Sequence, residues 1–355
     1  MSQPKLLQRG VPTNPRIMRQ YSVVAHNRNI VELRAGVWNP VSFTLTDEAG
    51  SGNLFRILTK LDGSASSAGI AKALDVPRSD VEALIDHLDQ LGVLESGANS
   101  ALDYYLDNIA PTLAREPSPK PSHPVLLLGD PELTDEFERQ LANSVEGVVI
   151  ERPRTDDPAL RILSQNDTSW FYNGLRLREQ LAAFEGFRGH FVVYLSTCVN
   201  PVQLAILNRV SLELAVPWST ACIDGPFVLV GPTFVPPSSP CFQCLETRVL
   251  MNLREAESYV RYKNALVEGE ICNGRSPLMP SLCALAASHA ALDALNFLVT
   301  GSAFTVGKVL SVYLPTMEFA YNEVLRLPGC NACGAVVERD DKELYFDIRA
   351  LMQAG

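Results

Sequence analysis

Pro240-Cys241-Phe242-Gln243-Cys244 and Pro328-Gly329-Cys330-Asn331-Ala332-Cys333-Gly334 are two hooks of the form Cys-x-x-Cys, and their reading decides the fold. A two-residue spacer lets both thiolates of a hook turn toward one tetrahedral ion. Structural zinc sites are built this way, with four sulfurs at about 2.3 Å and no open coordination position. The flanking Pro240, Pro328-Gly329 and Gly334 suit tight turns around each hook. Eighty-five residues separate Cys244 from Cys330, so a shared ion joins distant segments rather than folding a small finger. Two disulfides, reduced core thiols or a redox-active hook are the competing readings. Two hooks in one chain favour a structural zinc held by Cys241, Cys244, Cys330 and Cys333.

The segments around the hooks alternate strand and helix patterns. Pro124-Val-Leu-Leu-Leu-Gly129 reads as a buried parallel strand, Thr134 to Leu141 as a helix and Val148 to Glu151 as the next strand. Phe191 to Leu195 is a further buried strand, Val202 to Leu214 a helix, and Thr220 to Val230 a strand hairpin. Between the hooks lie a charged helix (Leu245 to Lys263), a loop (Gly269 to Pro280), an apolar helix (Ser281 to Leu298) and strands Lys308 to Leu314 and Glu318 to Leu325. This pattern predicts an α/β domain with a mostly parallel sheet over residues 124–355.

Residues 1–97 read differently. A basic, Pro-containing arm leads into three strands, Tyr21 to His26, Ile30 to Arg34 and Val41 to Asp47, the last alternating Val41, Phe43 and Leu45 with polar residues. Three helices are expected next: Ser51 to Leu61, Ser66 to Leu74, and one capped by Ser79 with an apolar face of Val81, Leu84, Ile85, Leu88 and Leu91. Strands followed by three such helices describe a small winged helix-turn-helix domain. Residues 98–123, with a short helix near Tyr104 and several prolines, read as a linker.

Charge excludes the usual role of such a domain. From Ser79 to Glu95 the third expected helix carries Asp80, Glu82, Asp86, Asp89 and Glu95 and no Lys or Arg, which would repel phosphates. The whole 355-residue chain has a net charge of −10, so nucleic acid is not an expected partner. Peptide capture fits better. The strand Val41 to Asp47 offers an edge, and Val41, Phe43, Leu45, Val81, Leu84 and Leu88 are the expected groove residues, with Arg28 and Arg34 placed to attract acidic side chains. No apolar run suggesting a membrane span and no signal peptide are read, and eight cysteines suit a reducing cytoplasm.

The remaining candidates are weaker. The first strand-to-helix turn of the second domain, Leu128-Gly129-Asp130-Pro131-Glu132-Leu133, has one glycine where a dinucleotide fingerprint has three, and places two acids where a phosphate would sit. Glu151, 22 residues after Gly129, stands where a ribose-binding acid is expected. Cys198, Cys222 and Cys283 read as core, and Cys272 as an exposed thiol without a sequence-local base. The five histidines form no ligand spacing, and His289 reads as packed within an apolar helix.

Pro240-Cys-Phe-Gln-Cys-Leu-Glu-Thr-Arg248 resembles the first zinc hook of E1-like, ThiF-type adenylating proteins, and Pro280 to Gly301 is similar to the helix after their crossover loop. The nearest branch is the cyclodehydratase "C" or "F" (Ocin-ThiF-like) proteins of azole-modified peptides and thiopeptides. Residues 17–95 resemble its winged-helix peptide recognition element, particularly Leu61-Asp-Gly63 and Leu88-Asp-Gln-Leu-Gly-Val-Leu94. The resemblance implies a Rossmann-type ThiF domain, a homodimer, a precursor leader peptide as ligand and a YcaO-type cyclodehydratase as partner. An active E1-like enzyme also needs a glycine-rich loop, absent at Leu128 to Leu133, and an aspartate after the strand Phe191 to Leu195, where Ser196-Thr-Cys-Val199 stands. Both departures fit non-adenylating members, in which ATP binding by this chain is not expected. The alternative is an enzyme that adenylates a precursor carboxylate itself, as in pantocin biosynthesis.

Overall fold

A computed structural model describes residues 13–38, 41–95, 100–109, 120–272 and 277–334. The first twelve residues of the basic arm, and residues 98–99 and 110–119 of the predicted linker, lie outside these. The chain divides into two compact units, residues 1–105 and 106–355, each built on its own sheet.

In the first unit, β1 (Tyr21–Ala25), β2 (Ile30–Ala35) and β3 (Ser42–Thr46) form an antiparallel sheet with β2 central. Register aligns Val23, Leu33 and Phe43 across one face, and Val31 with Leu45 beside them. Against that face pack α1 (Leu54–Leu58), α2 (Ser67–Leu74) and α3 (Arg78–Gln90) through Leu58, Ile70, Val81, Ile85 and Leu88. Ser66 caps α2 by accepting from the Gly69 amide at 3.3 Å, and Asp75 ends it in the left-handed region.

Three local expectations need correction. The first helix is one short turn and a half, Leu54–Leu58, because Gly52 with φ +71 and the Asp47 carboxylate, which accepts from Gly50, Ser51 and Gly52, hold the preceding residues in a loop. α3 begins at Arg78 after Pro77, so Ser79 lies inside its first turn and its hydroxyl bonds to Asp80 rather than capping. Glu95 lies beyond α3, which ends at Gln90 before Gly92 (φ +68). Its buried carboxylate faces Arg19 at 3.3 Å and Arg16 at 3.8 Å, where Arg16 and Ile17 bridge to Asp62 and Leu94.

α4 (Ala101–Ile109) precedes the sheet of the second unit, falling within the stretch read as linker. That sheet has seven strands: β4 (Val125–Gly129), β5 (Ile150–Glu151), β6 (Phe191–Ser196), β7 (Trp218–Asp224), β8 (Phe227–Phe234), β9 (Lys308–Tyr313) and β10 (Glu318–Glu323). Their order is β10-β9-β8-β7-β6-β4-β5. The pairs from β5 to β7 are parallel and those from β7 to β10 antiparallel, so the sheet is mixed rather than mostly parallel. The reason is local: Gly225-Pro226 joins β7 to β8 in a tight turn, and a connection that short permits only antiparallel pairing.

Side chains alternate between two faces. Leu126, Leu128, Val192 and Tyr194 face one core with α6 (Pro158–Gln165), α8 (Pro201–Leu214) and Trp170. The other face receives α5 (Pro131–Ser144) and α11 (Pro280–Thr300), with Phe191 stacked on Phe297 at 4.4 Å. α6 and α7 (Gly174–Ala182) were not anticipated, although Asp157-Pro158 and Asn173 carry legible N-cap signals: each side-chain oxygen accepts amides of the following turn.

The single charged helix expected after the first hook is two, α9 (Phe242–Asn252) and α10 (Ala256–Glu268), broken where Leu253 turns extended. The buried Glu246 of α9 accepts from Tyr259 at 2.8 Å and Lys263 at 2.6 Å on α10, which folds the second helix against the first. Contrary to the expectation that no apolar run suggests a membrane span, α11 is long and apolar enough to cross one; with 67% of its 18-residue window buried, it sits as a core helix does. Its Asp293 is buried and accepts from Thr233 and Thr305, and burial raises its carboxyl above the ordinary range.

Candidate metal centre and switch-point crevice

Four sulfurs converge where the two hooks meet. Cys241 stands at the N-cap of α9 with an extended backbone and Cys244 lies in its first turn, so one helix start aims both thiols the same way. The second hook arrives after β10. Arg326 donates to the Ser239 carbonyl at 2.7 Å and also to the Pro237 carbonyl, tying the incoming strand to the loop before the first hook. The Leu327 amide donates to the Cys244 sulfur at 3.4 Å. Gly334 donates to the Cys330 carbonyl at 2.8 Å, and a Cβ there would lie 2.4 Å from that oxygen, so the knuckle needs glycine.

The sulfurs are 3.9 Å (Cys241–Cys244), 3.7 Å (Cys241–Cys330) and 3.5 Å (Cys244–Cys333) apart, all four within 4.8 Å of one another. These separations are far longer than the roughly 2 Å of a disulfide. Zinc–sulfur bonds of about 2.3 Å at tetrahedral angles place sulfurs about 3.8 Å apart, close to these three separations, so the donor set fits a metal such as zinc. Burial pushes the Cys241 and Cys333 thiols up, Cys333 to about 11. Cys330 goes the other way: burial opposes its thiolate, but amides of Cys333 and Ala332 donate to it and bring it to about 7. Four thiolates on one ion would leave no position for a reacting water, the donor set of structural rather than catalytic sites.

The second feature lies at the C-terminal ends of the parallel strands. From β4 the chain passes outward to β5 and then back to β6, so the crevice between β4 and β6 is the switch point where open α/β sheets receive ligands. Here the strands approach unusually closely. Gly129 has φ +120, and a Cβ on it would lie 1.7 Å from the Leu195 carbonyl oxygen. Asp130 then reaches across the crevice: its carboxylate accepts from the Thr197 amide and hydroxyl, both at 2.7 Å. A fixed anion therefore stands at the start of α5, where an amide-bound phosphate would sit. Glu151, at the end of β5, meets His190 at 3.3 Å through one carboxylate oxygen.

The predicted peptide groove is only partly open. Leu45, Val81 and Leu88 are core side chains, at 5%, 0% and 0% exposure, because the helices close over the sheet face from which they project. Phe43 and Leu84 are half-buried at the margin of that core, and Val41 is exposed. Arg28 is exposed. Arg34 is engaged: it pairs with Glu32 at 3.4 Å and donates to the carbonyls of Gly36 and Val37. Of the isolated cysteines, Cys222 and Cys283 are buried as expected, whereas Cys198 is exposed, since it lies in the loop after β6 rather than in the strand. Cys272 is exposed, and His289 packs on Phe319 with ring centres 5.6 Å apart.

Comparison with models of protein families and with curated proteins finds no match. Solved structures do match. A heterocyclase in complex with substrate and cofactor aligns with TM-score 0.62 and 19% identity over 90% of this chain and 39% of its own. The heterocyclase TruD aligns with TM-score 0.61 and 21% identity over 91% of this chain and 43% of its own. E. coli MccB with ATP aligns with TM-score 0.50 and 13% identity over 90% of this chain and 99% of its own. The chain thus spans about two-fifths of the length of the two heterocyclases, and at these identities what it shares with them is the fold.

Proposed function

We propose that this chain is a leader-peptide-binding partner protein in the biosynthesis of a ribosomally made, post-translationally modified peptide. Its first unit acts as a winged-helix recognition element, and its second as a ThiF-like, E1-like domain of Rossmann type whose Cys241, Cys244, Cys330 and Cys333 hold a structural zinc. In this reading the chain holds the precursor and presents it to a separate YcaO-type cyclodehydratase that uses ATP. It works in the cytoplasm as a homodimer formed through the second unit. The fold it shares with two heterocyclases supports the general setting.

The observation that carries the partner role over a catalytic one is the Asp130 carboxylate bound to Thr197 across the switch-point crevice. A triphosphate entering there would meet a like charge already satisfied by the amide and hydroxyl it would need. The second reading, an E1-like enzyme adenylating a precursor carboxylate, is favoured by one finding: the alignment with MccB covers 99% of that chain. Calorimetric titration of the full chain with magnesium ATP, with and without a synthetic precursor leader, separates the two. Leader binding without nucleotide heat is expected. Micromolar ATP binding accompanied by precursor-dependent ATP–pyrophosphate exchange would establish the adenylating reading instead.

A further inference from the structure

The connection between β2 and β3 exposes apolar surface that neither core uses. Trp38 is 96% exposed and Val37 75% exposed, and Val41, the residue before β3, is 48% exposed. The chain has three tryptophans, and the other two, Trp170 and Trp218, are each 1% exposed. An indole costs free energy to hold in water, and large exposed aromatics grouped with other apolar side chains mark places where a partner docks.

Gly36 and Val37 of the tip are held by the strand beneath them. Arg34 donates from Nε to the Gly36 carbonyl at 3.2 Å and from its terminal nitrogen to the Val37 carbonyl at 3.0 Å. Its other terminal nitrogen pairs with Glu32, which is itself buried and bonded to His26 at 2.9 Å. Gly36 takes φ +75 to make the turn, and the Ala35 amide closes it on the Val41 carbonyl at 3.1 Å. One guanidinium thus fixes two successive carbonyls of the segment that carries Trp38.

We propose that Trp38, with Val37 and Val41, is a docking knob for an extended peptide that adds to the outer edge of β3, and that Arg34 is the positioning residue of that knob. This rests on the peptide-capture reading above and names the specificity determinant within it. β3 is an outer strand of its sheet, and the tip stands at the end where β3 starts, so a peptide running along that edge ends beside Trp38. The side chain it selects is bulky and apolar, packed on the indole face. Charge argues against a lipid surface as occupant: anionic membranes attract clusters of four or more Lys or Arg, whereas the only cation at this tip is committed to Glu32 and the chain carries a net charge of −10.

The test uses the full chain and a synthetic peptide, the most enriched sequence from selection of a displayed library of random 12-residue peptides on that chain. Binding is read twice: by anisotropy of a dye on the peptide, which reports capture wherever it occurs, and by intrinsic fluorescence. Because Trp170 and Trp218 are buried, acrylamide quenching reports on Trp38. Expected are a blue shift, protection of Trp38 from quenching, and affinity roughly 30-fold weaker in Trp38→Ala, the scale of an interface tryptophan. Trp38→Phe should recover most of the loss. Arg34→Gln, which leaves Trp38 itself in place, should also weaken binding in a chain that circular dichroism shows to be folded. If the peptide binds wild type and Trp38→Ala equally with no change at Trp38, the knob is overturned while peptide capture stands. If no peptide is captured, both fall. A Trp38 shift produced by phosphatidylglycerol vesicles, or by raising the concentration of the chain alone, would overturn the proposal in favour of a membrane or a second copy.

Discussion

Replacing Cys241 by serine tests the metal centre most directly. The sulfur separations of 3.5, 3.7 and 3.9 Å bracket the roughly 3.8 Å edge of a zinc tetrathiolate, and all four sulfurs lie within 4.8 Å of one another, close enough to share one ion. Such sites contribute about 10–16 kcal/mol of coupled binding and folding free energy, so one ligand in four is worth about 2.5–4 kcal/mol. At about 1.4 kcal/mol per decade, Cys241→Ser should bind zinc on the order of 10² to 10³ times more weakly. The loss should propagate, because Cys241 opens α9 while Cys330 and Cys333 anchor the segment after β10. The assay is metal analysis of freshly purified protein, then competition with a chromophoric chelator and a thermal melt. One zinc per chain is expected in wild type, and cobalt substitution should give thiolate-to-cobalt charge-transfer absorption. Wild-type protein without metal, or Cys241→Ser holding one zinc at unchanged affinity, would refute the reasoning.

Gly129→Ala should destabilise the second unit by about 3 kcal/mol or more, since backbone strain and an overpacked contact each cost about 1–3 kcal/mol. The new Cβ meets backbone, not a movable side chain, and urea denaturation reads the loss. A pH dependence follows from His123 and His289, which burial holds below their ordinary 6.5. The unfolded chain protonates them first, so their contribution is intact above pH 6.5 and declines as pH falls through 6.5 toward the lowered folded values. Melting temperatures between pH 7 and 5 should therefore fall less in a His123→Phe, His289→Phe double variant than in wild type.

Much of this molecule is written in local pattern. The hooks are legible because four thiolates at two-residue spacing have few other uses, and the strands because apolar period two and long apolar runs have one geometry each. Ser66 and Gly301 mark helix ends by side-chain chemistry alone. The absence of a glycine-rich loop at Leu128 to Leu133 was equally readable. What local pattern could not carry was everything set by a partner distant in the chain. Whether Leu45, Val81 and Leu88 lined a groove or filled a core depended on how closely three helices covered one sheet face. The break between α9 and α10 has no proline or glycine to announce it; it exists because Glu246 is buried where Tyr259 and Lys263 can reach it. Asp130 read only as an unwelcome charge until the fold brought Thr197, 67 positions away, to its carboxylate. The sequence by itself determined which elements form and which chemistries are present. Tertiary structure decided which side chains meet, because burial and long-range hydrogen bonds are properties of the assembled layers and not of any segment within them.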